Sequence, residues 1–250
     1  MPNYVAIPPS EEFQKCEITF ATEPRRRTAL AGYPGSGTLW LRHLVQQATG
    51  YWTGSIKSSD KLVKLGWQGE RLECDDPALF AIATPRYHTI QKCRFDQVII
   101  LIRNPVKVFI AEFNRKTAGK MKETRPGEFA MRGWGEFLTA QINEYETFYT
   151  SWVRSKIPKT VVCFESLEEA PVKATLNLSS FMGVNGRQSC LEKNKEGCLH
   201  RQHDESFTYG HLFNQTIRAQ LRQVVINLSR LLRNRQFDDC TVAFDSSLLD

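Results

Sequence analysis

The sequence of 250 residues contains no uninterrupted run of about 18 apolar residues, roughly the length that a helix needs to span a bilayer. Its first residues, MPNYVAIPPSEEF, lack the basic-then-apolar order of a signal peptide. The sequence as it stands therefore predicts a cytoplasmic chain with no membrane segment, neither anchored nor exported.

Metal-binding motifs are also missing, because the seven cysteines lack C-x-x-C spacing and the five histidines are dispersed. We expect no metal. Cys190 and Cys198 bracket a polar loop and are a candidate disulfide, whereas Cys163 lies in an apolar strand pattern and is predicted to be a buried free thiol. An odd number of cysteines fits fully reduced thiols equally well.

Charge of one sign is only mildly in excess, with a net charge of +6 and a pI of about 8.9. Apart from residues 25–27 and the tail around Arg230, Arg233 and Arg235, the basic residues are scattered. Neither basic run is flanked by base-stacking aromatic residues, so both are interpreted as solvated faces. The composition is compatible with an anionic ligand and does not predict a nucleic-acid partner.

Three Asn-x-Ser/Thr sequons begin at Asn177, Asn214 and Asn227. Together with the cysteines they favour a glycoprotein of the secretory pathway. Sequons also arise by chance, so the cytoplasmic alternative stays open.

Apolar runs alternate with helical patterns along the chain, and the composition is that of one globular domain. Buried strands are predicted at residues 28–33, 78–84, 96–104 and 160–166, and helices at residues 38–49 and 106–116 and in three later segments. Continuous apolar strands separated by helices predict an α/β fold with a parallel sheet flanked by helices on both faces. Such a sheet binds its ligand at the carboxyl ends of its strands.

The stretch YPGSGTLW, residues 33–40, follows the first predicted strand and opens the first helix. Its glycines allow a tight turn whose backbone N–H groups converge on an anion at the helix N-terminus. The lysine of a Walker A loop is missing, which argues against a kinase or an ATP or GTP hydrolase and favours a smaller phosphate-like group. The glycines could also serve the geometry of the turn alone.

Arg103 stands where the third strand leaves the sheet, in IILIRNPVKVFIAEFNRK. An arginine at that edge can bind a phosphate with its bidentate fork. The structural alternative is an ion pair with a carboxylate such as Glu112.

The combination of PGSGTLW, IRNP and VVCFESL resembles the nucleotide-binding framework of sulfotransferases that use 3′-phosphoadenosine 5′-phosphosulfate (PAPS). The longer stretches YPGSGTLWLRHLVQQATGYWTGS, GWQGE and EKNKEGCLHR resemble the sulfotransferase domain of the WSC-domain-containing proteins. The resemblance covers residues 28–240 and implies a P-loop nucleoside-triphosphate-hydrolase-like sulfotransferase fold. Residues 1–27 are then an N-terminal extension and residues 241–250 a C-terminal tail.

The resemblance implies a nucleotide site with PAPS as donor co-substrate and no metal. The loop that would hold the 5′-phosphosulfate, with backbone N–H groups and the hydroxyls of Ser36 and Thr38, comprises Pro34, Gly35, Ser36, Gly37, Thr38, Leu39 and Trp40. Arg103 would bind the 3′-phosphate, with Arg201 and His200 as further contacts from a closing loop. Ala111 stands where many members have a serine that assists the arginine.

The catalytic part of the resemblance departs from the family pattern. Cytosolic members have a lysine at the position of Gly35, whereas the WSC-domain group shares the glycine. That group also has Lys-Thr-His where residues 83–85 read Ala-Thr-Pro. His88 is a candidate base and Arg86 a candidate cation, while Glu70 is a second candidate base because carbohydrate sulfotransferases often use a glutamate.

The implied function is transfer of a sulfonyl group to a hydroxyl acceptor, a glycan by analogy with the group. Because glycan sulfation takes place in the Golgi lumen, the resemblance also implies that location if a fuller form supplies an anchor. The aromatic-rich segment of residues 119–156 is predicted to frame the acceptor pocket, although an aromatic stripe at helical spacing more often belongs to the core. The alternative is an impaired pseudo-sulfotransferase that binds nucleotide or glycan, motivated by Ala111 and residues 83–85.

Overall fold

The computed structural model describes residues 16–85, 93–117, 129, 133–196 and 210–237. Within them, one sheet contains the strands β1 (Thr28–Gly32), β2 (Thr53–Ser55), β3 (Ala81–Thr84), β4 (Gln97–Ile102) and β5 (Lys159–Cys163). The strand order is β2-β3-β1-β4-β5, and every neighbouring pair is parallel. The predicted α/β class and parallel sheet are confirmed.

The described helices are α1 (Thr38–Thr49), α2 (Asp60–Lys64), α3 (Pro105–Thr117), α4 (Trp134–Arg154), α5 (Phe164–Glu169), α6 (Pro171–Phe181), α7 (Gln188–Asn194) and α8 (Gln215–Arg233), with 3₁₀ turns at Gln68–Arg71 and Gly210–Leu212. Helices α1 to α4 lie between successive strands in the chain, and α5 to α8 follow β5. The strand predicted at residues 160–166 ends early, because Cys163 is the last residue of β5 paired with β4 and Phe164 begins α5.

Alternate residues of β4 point into two separate cores. Val98, Ile100 and Ile102 pack under α3, α4 and α8, whereas Ile99 and Leu101 pack under α1, α5, α6 and α7. All residues of β1, β3 and β4 are buried. Burial on both faces explains why these strands were visible in the sequence as continuous apolar runs.

The segment before β1 is joined to the domain by a disulfide and a backbone bridge. Cys16 is bonded to Cys190, with their Cα atoms 5.5 Å apart, and Thr19 pairs in parallel with Tyr51. The predicted disulfide between Cys190 and Cys198 is therefore wrong. The observed partner lies 174 residues away in the sequence, a distance across which loop spacing carries no information.

A second disulfide joins Cys74 to Cys93, on either side of β3. Cys163 is buried, as predicted, but it is disulfide-bonded rather than a free thiol. Apolar surroundings accommodate a disulfide as readily as a thiol, so the burial pattern could not distinguish the two. Among the helices of the described ranges, none is both long and apolar enough to cross a bilayer.

Candidate functional site

The candidate site lies at the carboxyl ends of β1 and β4, which are neighbours in the sheet. After β1 the chain moves toward β2 and β3, whereas after β4 it moves to β5 on the other side. Adjacent strands whose connections run in opposite directions leave a crevice between their loops, and open α/β sheets bind ligands there. The loop of residues 33–37 and the exit from β4 at Arg103 border this crevice.

Two glycines set the shape of the loop after β1. Gly35 and Gly37 have φ values of 93° and 88°, in the left-handed region that favours glycine. A Cβ on Gly37 would overlap the ring of Phe164, and one on Gly35 would overlap the backbone carbonyl of Val108. Glycine is therefore required at both positions, because the loop packs closely against α3 and Phe164 and because the turn needs positive φ values.

The loop ends at the N-terminus of α1. The N–H groups of Trp40 and Leu41 donate to the carbonyl of Gly37 at 3.0 and 3.1 Å. The N–H groups of Thr38 and Leu39 come earlier in the helix, where no preceding turn supplies a carbonyl acceptor. The first turn of α1 carries no acidic side chain. The positive end of the helix dipole therefore remains available to an anion.

The hydroxyls of Ser36 and Thr38 face different surroundings. Ser36 is fully buried, and its Oγ lies 3.0 Å from the hydroxyl of Tyr149. Thr38 is partly exposed, and its hydroxyl lies over the Cα of Gly32, where a Cβ would displace it. Of these two residues, Thr38 is the one that is partly exposed.

Arg103 connects the two sides of the crevice. Its Nη1 donates to the carbonyl oxygen of Gly35 at 3.1 Å, and its guanidinium lies 4.1 Å from the ring centroid of Phe164. Trp40 meets the same ring edge to face, at 5.6 Å between centroids. Phe164, which the sequence analysis did not place in the site, is thus the common support of Gly37, Trp40 and Arg103.

Three tyrosines, Tyr33, Tyr145 and Tyr149, form a buried group beneath the loop, called here the loop tyrosines. The hydroxyl of Tyr149 donates to the carbonyl of Leu101 at 2.8 Å and lies 3.4 Å from the backbone N of Tyr33. The hydroxyl of Tyr145 donates to the carbonyl of Arg103 at 2.6 Å. Helix α4 thereby holds both the loop after β1 and the exit from β4.

Burial raises the pKa of all three loop tyrosines above the ordinary value, and it is the largest cause in each case. The carboxylate of Glu144 also raises the pKa of Tyr33, and Glu165 also raises those of Tyr145 and Tyr149. The hydroxyls therefore remain protonated donors at neutral pH. Tyr145 and Tyr149 of α4 are fully buried, so they belong to the core rather than to the surface of an acceptor pocket. The sequence pattern did not reveal their hydroxyl contacts.

Glu70 lies in the 3₁₀ turn after α2, and its carboxylate is enclosed by polar partners. It forms an ion pair with Arg42 at 2.6 Å, in which both side chains are at most 4% exposed. It also accepts from the hydroxyl of Ser55 at 2.9 Å and from the backbone N of Ser59 at 2.8 Å. Burial lowers the pKa of Arg42, and the charge of Glu70 counteracts this. These contacts tie the segment after β2 to α1.

Helix α3 carries cationic groups beside the loop. Lys107 and Ala111 are one turn apart on the same face of this helix, and both are partly exposed. Glu112, the carboxylate named above as an alternative partner of Arg103, accepts two hydrogen bonds from Arg115 at 2.5 Å and lies 3.8 Å from Lys116. Lys107 is a candidate ligand-binding residue that the motif comparison did not single out.

The other predicted site residues, Arg86, His88, His200 and Arg201, lie outside the described residues. The chain just before the predicted closing loop is described and contacts α1. Trp40 Nε1 donates to the carbonyl of Lys195 at 2.8 Å, and His43 Nε2 lies 2.6 Å from the carbonyl oxygen of Asn194. The end of α7 is therefore held against the first two turns of the helix that follows the glycine loop.

No family model matches the chain. A WSCD family member of Drosophila melanogaster is 32% identical over 182 residues, and one of Drosophila pseudoobscura pseudoobscura is 33% identical over 182 residues. Each match covers 70% of this chain and 57% of the relative. The chain is a homologue of the WSCD family members. The resemblance to the WSC-domain group is thereby confirmed.

A WSCD family member of Aedes aegypti is 28% identical over 210 residues, covering 78% of this chain and 66% of the relative. The WSCD homologue described here thus spans little more than half the length of the two Drosophila relatives.

Among solved structures, the crystal structure of the mouse sulfotransferase SULT7A1 complexed with PAP matches with a TM-score of 0.53 and 16% identity, over 86% of this chain and 87% of that one. This match confirms the predicted sulfotransferase fold.

Proposed function

We propose that this WSCD homologue transfers a sulfonyl group from PAPS to a hydroxyl on a glycan. The observation that carries the proposal is the contact of Arg103 with both the carbonyl of Gly35 and the ring of Phe164. It places a strand-end cation beside a lysine-free glycine loop at the crevice between β1 and β4. The mouse protein of the same fold was crystallised with PAP, the nucleotide product of this reaction.

Different groups of the described residues suit the two ends of the nucleotide. The loop N–H groups, the N-terminus of α1 and the hydroxyl of Thr38 suit the 5′-phosphosulfate. Arg103 suits the 3′-phosphate, since a guanidinium can contact a phosphate with two parallel hydrogen bonds. Lys107 lies one helical turn before Ala111, where many sulfotransferases have the assisting serine. We propose that its ammonium supplies the contact that the alanine cannot make.

The contacts of Asn194 and Lys195 support a role in nucleotide binding for the predicted closing loop, residues 197–201. Because Trp40 and His43 hold Lys195 and Asn194, the described residues just before the predicted closing loop lie against the helix that follows the glycine loop. We propose that Arg201, with His200, contacts the 3′-phosphate from this side. These residues would add to the contacts that α3 and the strand ends offer the nucleotide.

In the proposed reaction the acceptor oxygen attacks the sulfur of PAPS, and a new O–S bond forms. The S–O bond to the 5′-phosphate breaks, its electron pair leaves with PAP, and the acceptor proton passes to a base. We propose His88 as this base and Arg86 as a cation that receives developing charge. Glu70 is proposed as a positioning residue, because its carboxylate already serves Arg42, Ser55 and Ser59.

The proposed compartment is the lumen of the secretory pathway, in the Golgi. Disulfides persist in oxidising compartments, and Cys16–Cys190 and Cys74–Cys93 are both formed in this structure. A luminal location also brings the enzyme to glycan acceptors. Reduced thiols in the protein isolated from its native cells would contradict this assignment.

Calorimetric titration of the purified chain with PAP tests the nucleotide site. We expect saturable one-site binding and a raised melting temperature, because a ligand that binds only the native state stabilises it. Arg103→Ala should abolish most of both effects. Arg103→Lys keeps the charge but loses the bidentate fork, and should bind with intermediate affinity. The matched control is Arg25→Ala, since Arg25 contacts Tyr51 near the opposite end of the sheet.

Two outcomes separate the competing functions. Stabilisation by ATP with magnesium but not by PAP would refute the sulfotransferase assignment. PAP binding without turnover of PAPS across a panel of glycan acceptors would instead identify a pseudo-sulfotransferase. If turnover is found, His88→Ala should lower kcat while leaving the Kd for PAP unchanged, and an unaffected kcat would rule out His88 as the base.

A further inference from the structure

The three glycosylation sequons lie in three different environments, two of them inside helices. Asn177 lies within α6, and the sequon's Ser179 is 1% exposed, with its hydroxyl donating to the carbonyl of Thr175 at 2.9 Å. Asn227 lies within α8, and its Nδ2 donates to Glu146 Oε1 at 2.8 Å. Glycosylation requires the hydroxyl of the sequon's third residue and the amide nitrogen of its asparagine. The hydroxyl is already hydrogen-bonded within the fold in the first of these sequons, and the amide nitrogen in the second.

The sequon at Asn214 is different, because it lies where a helix begins. Asn214 is exposed and extended, with φ −69° and ψ 167°, and it caps α8 by accepting from the backbone N of Ile217 at 2.9 Å. Thr216, the third residue of the sequon, is also exposed. The cap uses Oδ1, whereas an N-linked glycan is bonded to Nδ2. The same asparagine can therefore cap the helix and carry a glycan.

The surface beside Asn214 has room for a sugar. An open depression of about 600 Å³ is lined by residues from the first two turns of α4 and the start of α8, namely Gly135, Glu136, Thr139, Ala140, Asn214 and Ile217. Glu136 and Thr139 are exposed and offer hydrogen-bonding groups, while Ala140 and Ile217 offer apolar contact. A sugar attached at Asn214 would lie at the rim of this depression.

We propose that Asn214 carries an N-linked oligosaccharide and that Asn177 and Asn227 do not. The proposal rests on the luminal location given above. In the modification, Nδ2 of Asn214 bonds to C1 of the first sugar of a lipid-diphosphate-linked oligosaccharide. The bond from C1 to the diphosphate oxygen breaks, the lipid diphosphate leaves, and the amide nitrogen gives up one proton. The transferase and donor are those of the host's secretory pathway.

The test expresses the full chain behind a cleavable signal peptide in eukaryotic cells. Cell lysate and medium are each treated with a peptide N-glycosidase, so a chain retained inside the cell is still scored. We expect one glycan's shift in gel mobility, with Asn214 converted to aspartate in the peptide map. Thr216→Ala should remove the shift while leaving the Asn214 cap, whereas Thr216→Ser should retain it. Asn177→Gln is the matched control and should also retain it.

A shift that survives Thr216→Ala, or a glycan mapped to Asn177 or Asn227, would overturn the proposal. So would a parent chain whose disulfides have formed but which carries no glycan. Because PAP titration of chain made without glycosylation tests the nucleotide site independently, failure here can be told apart from failure of the proposed activity. Thiol labelling of the same samples reports separately on the oxidising location.

Discussion

Replacing Tyr149 with phenylalanine tests whether α4 positions the glycine loop. The substitution removes one hydroxyl and keeps the buried ring, which packs against Tyr145 and Phe148. That hydroxyl donates to Leu101 O at 2.8 Å and lies 3.0 Å from Ser36 Oγ. Both partners are buried, so neither can replace the lost bond with water.

The magnitude follows from these two contacts, because the third, from the backbone N of Tyr33 at 3.4 Å, is long for a hydrogen bond. A typical hydrogen bond contributes about 1 kcal/mol net, and a buried group left unpaired costs about 1–3 kcal/mol. We therefore expect the free energy of unfolding to fall by about 2–4 kcal/mol. The share that belongs to Ser36 and the loop is about 1.4 kcal/mol. If the binding free energy of the nucleotide must supply this amount to order the loop, the Kd for PAP rises about tenfold.

The assay combines urea unfolding with calorimetric titration of PAP on the same preparations. The matched control is Tyr51→Phe, which removes a hydroxyl that accepts from the exposed Arg25 at 2.9 Å, near the amino end of β2. We expect this control to change stability by less than about 0.5 kcal/mol and to leave the Kd unchanged.

A Tyr149→Phe variant that loses stability but binds PAP as tightly as the parent would refute the positioning role. The loop would then be held by its packing against α3 and Phe164, without help from the hydroxyl.

Three further predictions concern the buried ion pair of Glu70 with Arg42, the candidate ligand-binding residue Lys107 and the loop tyrosines. Glu70→Gln should lower the free energy of unfolding by about 3 kcal/mol or more, because it leaves the buried charge of Arg42 without its partner. In urea unfolding, a double variant that also carries Arg42→Met should recover part of this loss. If the losses of the two single variants simply added, the two side chains would not stabilise each other and the prediction would be wrong. Lys107→Ala should weaken PAP binding about fivefold, an effect of about 1 kcal/mol, whereas replacing the exposed Lys173 of α6 with alanine should have none. Equal Kd values for both variants would exclude Lys107 from the site. The raised pKa values of the loop tyrosines mean that the unfolded chain loses their protons near pH 10 while the folded chain keeps them. Stability should therefore be unaffected by them below about pH 10 and fall above it by about 1.4 kcal/mol per pH unit for each tyrosine, a slope that Tyr149→Phe should reduce by about a third.

Local patterns predicted most of the sheet and helices, and they failed where a local pattern was weak. Strand β4 was visible because QVIILI is apolar throughout, and α1 because a glycine loop precedes its periodic residues. Strand β2 was not predicted, since the three residues Thr53–Ser55 form no apolar run. It exists because it pairs with β3 and because the buried Arg42 binds the hydroxyl and carbonyl of Thr53.

The sequence by itself determined the glycine loop, the arginine at the end of β4 and the order of the four apolar strands, because each depends on neighbours a few residues apart. Only the tertiary structure decided that Tyr149 bonds to Ser36, 113 residues away, and that Cys16 pairs with Cys190, 174 residues away. The same holds for Phe164 beneath Arg103. These contacts form when the sheet brings remote segments to one edge, and no local spacing encodes such a meeting.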